Sequence, residues 1–496
     1  MTVAEKPSDT FDSTGYATAE GRDHYPSFPV PDKEKSPDLK SRESPDRSDS
    51  GFNSSDDNLS ATSTSESIDS LSVKSNDSNR QAAIIEASPE PLIDDLLDKG
   101  APDILRIIRD GSKVGLVDDY KVPIDQVPAW FDAAKCELGR RFGQQYHFGI
   151  NFAEMVSLYL LFLPKQALEP LIFTGNSHTP YKAFKRYLST SLRVKTWIDT
   201  NVWDPETVGY KNLRTVRAMH LNVSKKLNSC PRSEIDELGT LNGERGKKGV
   251  WCTSYKGINA DVQSACPFAN GKNVSVTGDS NPNDKVYVNQ LHMSLTQFGF
   301  VGLILLYPDK FGAGNATEAE LEGFAHLWRC IGYLLGIQDD FNFCKGTLSE
   351  VRQRTKDTLE IVYKPILRSG EVSADWEHMS RCMVEGISYY VPGVSFEVSF
   401  SYMCWVLDVP VPSISSGFTM YQNFMFYLTK LFMCHTSKIP GVLKMHNYLL
   451  KRTLERVQRR PQEWHDKLEQ RIYDFQKDCK NRESGGVQNI DESSRL

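Results

Sequence analysis

The chain has 496 residues, room for two or three average domains, and its 64 acidic and 58 basic side chains leave a formal charge of −6. That charge is uneven: residues 1–90 carry −9 and the remainder +3, so the body lacks the concentrated basic face of a nucleic-acid binder and no nucleic-acid partner is expected. Ten scattered cysteines without a CxxC pair exclude a disulfide scaffold and point to reduced, mostly buried thiols.

The first 90 residues read as a disordered acidic tail, because 14 serines and a single aromatic between Ser41 and Arg80 offer too little apolar surface to offset the entropy of ordering. The start of the chain lacks a basic segment followed by an apolar core. The longest apolar run, Phe298 to Tyr307, is ten residues against the roughly 20 of a membrane span. A cytoplasmic protein without a transmembrane span is therefore expected.

From Pro91 the spacing of apolar residues is helical. It predicts helices over 92–98, 128–142, 151–163, 181–193, 212–227, 286–307, 318–335, 348–368, 375–390, 415–435 and 461–479, with almost no strand alternation. Thr317 with Glu320 forms a capping box, and Gly336 stops the helix that follows. The fold class is thus all-α: one large multi-helix domain over 91–480, with a polar C-terminal tail at 481–496. Residues 228–284, rich in Gly, Ser, Asn and Pro, read as a flexible insertion that serves either as a lid or as a plain surface loop. The aromatic and sulfur-rich stretch from Phe418 to Met433 reads as a buried or cavity-lining helix, with peripheral membrane contact as the other reading. Trp464, Leu468, Ile472 and Phe475 share one side of the last helix, which should dock on the body.

Three residues stand out for chemistry. His220 falls in the apolar row Leu213, Val216, Val223, Leu227, so its imidazole should point inward, either as a core histidine bonded to a neighbouring polar group or as a ligand. Arg186 and Thr190 lie one turn apart on the preceding helix. For Arg186 the alternative is an exposed cation, and for Thr190 a hydroxyl bonded back to its own helix. His292 and His326 sit in apolar helices and read as packed core residues. Arg214 and Arg217 flank the His220 face. HExxH, paired ExxH, GxSxG, Walker A and GxGxxG signatures are all missing, which sets aside zinc hydrolases, di-iron bundles, serine hydrolases and nucleotide-driven enzymes. The Asp339–Asp340 pair invites a metal-dependent terpenoid reading, but the third carboxylate of that cluster is lacking.

The succession TGNSHTPYKAFKRYLSTS, NLRTVRAMH, VYVNQLHMSLTQFGFVG and GFAHLWRCIGYLLGIQDD resembles the family of latex-clearing rubber oxygenases and of the fungal oxygenases that cleave a farnesyl chain in mycophenolic acid synthesis. The resemblance runs from about Gly139 to Asp340 and weakly on to about Leu450. It implies a haem-pocket domain, globin-like in general character, with non-covalent haem b held through iron by His220. It places Arg186 and Thr190 in the pocket as catalytic groups, Arg186 to pair with a haem propionate or polarise the bound oxygen and Thr190 to donate a hydroxyl proton to that oxygen; Arg214 and Arg217, flanking the His220 face, either reach the propionates or are solvated. It also implies dioxygen and an apolar unsaturated lipid or isoprenoid as substrates. Ser189 stands where rubber oxygenases have a lysine, so no distal amine ligand is expected. The family's distal glutamate has no clear counterpart, with Glu169 near the right region. These departures leave open a helical haem- or lipid-binding protein without turnover.

Overall fold

Local capping chemistry decides where the periodic segments begin and end. The computed structural model describes residues 101–116, 126–241, 254–265, 285–370 and 372–470, and among them every regular element is helical. In chain order these are α1 (Asp103–Gly111), α2 (Ala133–Gln145), α3 (His147–Leu161), α4 (Lys165–Phe173), α5 (Pro180–Asp199) and α6 (Val208–Ser229). Two short helices follow, α7 (Arg232–Leu238) and α8 (Ser254–Ala265), and then the long α9 (Gln290–Leu306), α10 (Glu318–Leu334) and α11 (Leu348–Thr358). The last third holds α12 (Lys364–Arg368), α13 (Ala374–Ser388), α14 (Phe396–Leu407), α15 (Pro412–Ser416), α16 (Met420–Cys434) and α17 (Val442–Gln458), with a further turn of helix from 462. The proposed tail at 1–90, the helix at 92–98 and the C-terminal tail at 481–496 lie outside the described residues.

Most predicted segments survive with shifted ends, and the shifts follow from caps. Asp132 accepts from the amides of Ala134 and Lys135, so α2 starts there and not at Pro128. Thr179 with Pro180, and Thr207, open α5 and α6 earlier than the apolar rows imply. The segment 415–435 is two helices, because the Thr419–Gln422 capping box starts α16 afresh after Gly417. The helix expected over 348–368 is interrupted by a π-turn at Leu359–Tyr363. Pro365 lies just beyond it and has no amide hydrogen to give the ladder. Helices α1, α4, α14 and α17 were not apparent in the sequence. For α14 the cause is plain: FEVSFSYMCWVL is apolar on every side and buried, so it has no amphipathic period.

The described parts of the insertion carry short local structure, and that structure is docked. Helix α8 buries Ile258 and Val262, the Tyr255 amide donates to Glu377 Oε2 at 2.9 Å, and Asn259 exchanges hydrogen bonds with the backbone of Val372. Those bonds tie it to α13 and the turn before it. The expected C-terminal docking holds as far as the chain is described: Trp464 meets Phe184 edge-on at 5.7 Å, and Leu468 is buried.

Two helix crossings set the interior. Where α2 meets α10, a Cβ on Gly139 would stand 2.2 Å from the carbonyl oxygen of Gly323, and a Cβ on Gly323 would stand 2.8 Å from the Gly139 nitrogen. Only hydrogen side chains permit that approach. Helices α5 and α13 cross in the same manner at Gly386, whose added Cβ would lie 2.5 Å from the Phe184 nitrogen. Gly139→Ala should therefore cost about 2–3 kcal/mol in urea unfolding, because backbone on the facing helix cannot yield as a side chain would. Gly417→Ala is the control, since its nearest neighbour lies 3.6 Å away and its φ is −85°. It should stay within about 0.5 kcal/mol of the parent.

Candidate functional site: an apolar cavity with buried ionisable groups

Between α3, α5, α6, α9 and α10 lies a cavity of about 260 Å³, completed by residues around 387–394 and by Leu450 of α17. Its wall is largely hydrocarbon and aromatic. Phe300 stacks on Trp328 at 4.5 Å, and Phe152, Met155, Leu158 and Ile331 add to the lining. The structure brings Arg186, Thr190 and His220 together in this lining, although they are distributed over two helices.

The two helices are fixed against each other by short polar contacts. Arg193 of α5 donates to Asn212 Oδ1 of α6 at 3.2 Å, and Asn212 returns a bond to Thr196 Oγ1 at 3.1 Å. Gly209 comes so near α5 that an added Cβ would meet the Thr196 carbonyl at 2.8 Å. The inward arc of α6 runs through Leu213, Arg217, Leu221, Ser224 and Leu227, so Val216 and His220 are turned to its flank, where the cavity is.

His220 is deep in the fold, and the partial exposure of its ring reflects the cavity it lines. Burial, helped by the nearby positive charge of Arg186, lowers its pKa to about 4. The imidazole is therefore neutral at physiological pH and keeps a lone pair for a ligand. Its Nδ1 is buried without a hydrogen-bond partner. Arg186 donates to Ser177 Oγ at 3.3 Å. Thr190 gives its hydroxyl proton to the Arg186 carbonyl at 3.0 Å, so in this arrangement it offers the cavity an acceptor and not the proton donor anticipated.

Arg217 is placed differently from the expectation. It is buried on the inward arc of α6, donates to the Leu334 carbonyl at 3.3 Å and lies beside Gly336, and it is not part of the cavity lining. The cation that does join Arg186 there is Arg193, with its pKa lowered by burial. Glu169 is also elsewhere. It is buried in an ion pair with Lys285 Nζ at 2.8 Å, with Arg232 at 3.6 Å, and that role is structural.

The carboxyl that faces the cavity is Glu154 of α3, which sequence reasoning missed. Burial alone raises its pKa to about 8, and Oε1 has no hydrogen-bond partner. A signal was present: it is the one charged residue in the run NFAEMVSLYLLFLP. His292 and His326 lie outside the lining. His326 Nε2 accepts from the Asp132 amide at 3.0 Å, close to a Cys136–Cys330 contact of 3.4 Å between sulfurs on the α2/α10 seam. This trio has the donor types of a metal site. Burial pushes the Cys330 thiol up, however, and an imidazole nitrogen is already bonded, so the group acts as packing. Asp339 is held by Arg329 through two bonds of 2.9 and 2.8 Å, and Asp340 by Lys345 at 2.7 Å. Neither aspartate reaches the cavity, which removes the support for metal-dependent terpenoid chemistry.

No family model and no curated protein matches this chain. A solved structure, that of latex clearing protein LCP in the closed state, is similar in fold at 14% identity, covering 75% of this chain and 92% of that one, with a TM-score of 0.40. A likeness of that size decides neither cofactor nor reaction.

The Glu154 carboxyl has a testable sign. Unfolded, it loses its proton near pH 4.5; folded, only near pH 8, so the native state binds the extra proton between those values. Stability should fall as pH rises across that window and level off above it. In urea titrations from about pH 5 to about pH 8, Glu154→Gln should flatten the decline, and a parallel slope in both proteins would show the carboxyl to be solvated.

Proposed function

We propose that this chain is a haem-b-dependent oxygenase-like protein that activates dioxygen on an apolar unsaturated lipid or isoprenoid substrate. The observation that carries the reading is a hydrocarbon-walled cavity lined by a single neutral histidine together with two arginines. A haem needs one strong axial donor, a greasy pocket and cations for its propionates. His220 would be the iron donor, and Arg186 and Arg193 the propionate partners. Bound there, haem supplies the redox-active iron at which dioxygen is activated.

The chain's own residues prepare the rest. Phe300, Trp328, Ile331 and Leu158 exclude water and present a surface suited to an alkene or alkyl chain. Burial, with Arg186 adding to it, keeps His220 unprotonated, so the lone pair stays available at neutral pH. Glu154 holds a proton at Oε1 or Oε2 under the same conditions, ready to exchange it with a polar group in the cavity.

A second reading, a haem- or lipid-binding protein without turnover, is favoured by one contact: the Thr190 hydroxyl proton is committed to the Arg186 carbonyl. Ser189, in the position of the rubber oxygenases' lysine, instead accepts from Arg193 Nε at 3.4 Å.

Purified after expression with ample haem precursor, the protein should show a Soret band, and His220→Ala should abolish or displace it. A colourless protein, or an unchanged band in the variant, would refute the ligand assignment. Oxygen uptake with prenyl and polyunsaturated substrates then separates the two readings: uptake marks the oxygenase, and a haem-loaded protein inert across the panel marks the binder.

A further inference from the structure

Helices α16 and α17 leave an unusual amount of hydrocarbon uncovered. On α16 Met420, Tyr421, Phe424, Tyr427, Leu428 and Leu431 recur at helical spacing on one face, with Met420 92% exposed, Tyr427 65% and Phe424 62%. The stripe continues through Ile439 in the connecting turn to Met445, Tyr448 and Leu449 on α17, all more than half exposed. The two stripes meet where Phe432 packs on His446, ring centres 4.1 Å apart. A contiguous apolar patch of this kind marks an interaction surface and not ordinary scatter.

Its charge says what covers it. Between Asp408 and Glu455 the sequence contains no carboxylate at all, while Lys430, Lys438, Lys444, Lys451 and Arg452 fall within that stretch. A second copy of the chain on this face would bring like charges together, whereas an anionic lipid surface would complement them. Of these cations Lys444, Lys451 and Arg452 are exposed on α17, the helix that carries Met445, Tyr448 and Leu449; aromatic and aliphatic side chains accompanied by exposed cations are the composition of helices that lie in the plane of a bilayer interface. No described helix is long and apolar enough to cross a membrane alone, and α16 has 15 residues. A helix of that length is too short to cross a bilayer, which leaves the surface of one as what this face could meet.

The patch also adjoins the cavity. Phe148 lines the cavity and packs against both Phe432 and His446 at 5.4 Å. Gly393, in the segment whose Val391 and Val394 line the cavity, is so close to α16 that an added Cβ would lie 3.0 Å from the Met425 methyl group.

We propose that the face formed by Met420–Leu431 of α16 and Met445–Leu449 of α17 docks on an anionic lipid bilayer, setting the cavity wall at Phe148 and Val391–Val394 near the source of apolar molecules. The docking itself is independent of which cofactor the cavity holds.

Co-sedimentation of the full chain with phosphatidylcholine vesicles, with and without phosphatidylserine, tests this. Binding should be strong only with the anionic lipid and should weaken with salt. Phe424→Glu combined with Leu431→Glu, both exposed, should weaken it by about tenfold or more, and Lys444→Glu with Lys451→Glu should remove the preference for anionic vesicles. Circular dichroism unchanged in both pairs keeps the comparison clean. No binding, or binding indifferent to either pair, would overturn the proposal. A dimer dissolved by the Phe424/Leu431 pair in the absence of vesicle binding would overturn it in favour of self-association.

Discussion

The wall made by α3, α5, α6, α9 and α10 keeps water away from two ionisable side chains, His220 and Glu154, and the chemistry open to the cavity descends from that exclusion. Desolvation penalises whichever form is charged, so one environment moves the two groups in opposite directions. The histidine is driven to the free base and the glutamate to the acid. Near neutral pH the cavity thus holds an available nitrogen lone pair and an available proton, a pairing that neither residue would have in water. Cations are present in the same lining as Arg186 and Arg193, whose planar guanidinium groups suit paired hydrogen bonds to a carboxylate.

That arrangement rests on backbone proximity elsewhere. Gly139 with Gly323, and Gly386 against α5, let helices approach to distances that side chains forbid, and Gly209 does the same between α5 and α6. Polar residues at these seams serve the packing: Asn212 bridges α5 and α6, Glu169 closes an ion pair with Lys285, and Arg217 is spent on the end of α10. These partnered groups help hold the frame together, and His220 Nδ1 and Glu154 Oε1, buried without partners, belong to side chains that line the cavity.

The outer layer divides the molecule differently. Helices α14 and α13 are buried as core, whereas α16 and α17 cover one side of the body with faces that they do not themselves bury. Phe148 and the segment around Gly393 couple this face to the cavity, so an apolar surface and an apolar interior stand on either side of the same few side chains. The aromatic run of α16, read from composition as a buried or cavity-lining helix, is instead the most exposed apolar element described, with Met433 alone buried along its length. Composition reports how apolar a helix is and is silent on what stands opposite it.

The sequence by itself determined the all-helical class, since its periodicity has one dominant spacing, and it determined that Arg186 and Thr190 share one turn and that His220 shares a face of the next helix with Val216 and Val223. Those are local facts, encoded within a few residues of chain. Which groups meet across helices was decided by the tertiary structure alone. Arg217 and Arg193 are equally plausible from their own segments, and packing turns the first, on α6, toward the Leu334 carbonyl at the end of α10 and the second, on α5, to the cavity. Glu154 and Glu169 are likewise both carboxylates near apolar residues; one gains Lys285 as a partner from a segment more than a hundred residues away, and the other gains none. Burial and partnership are properties of packing between distant segments, and no local pattern carries them.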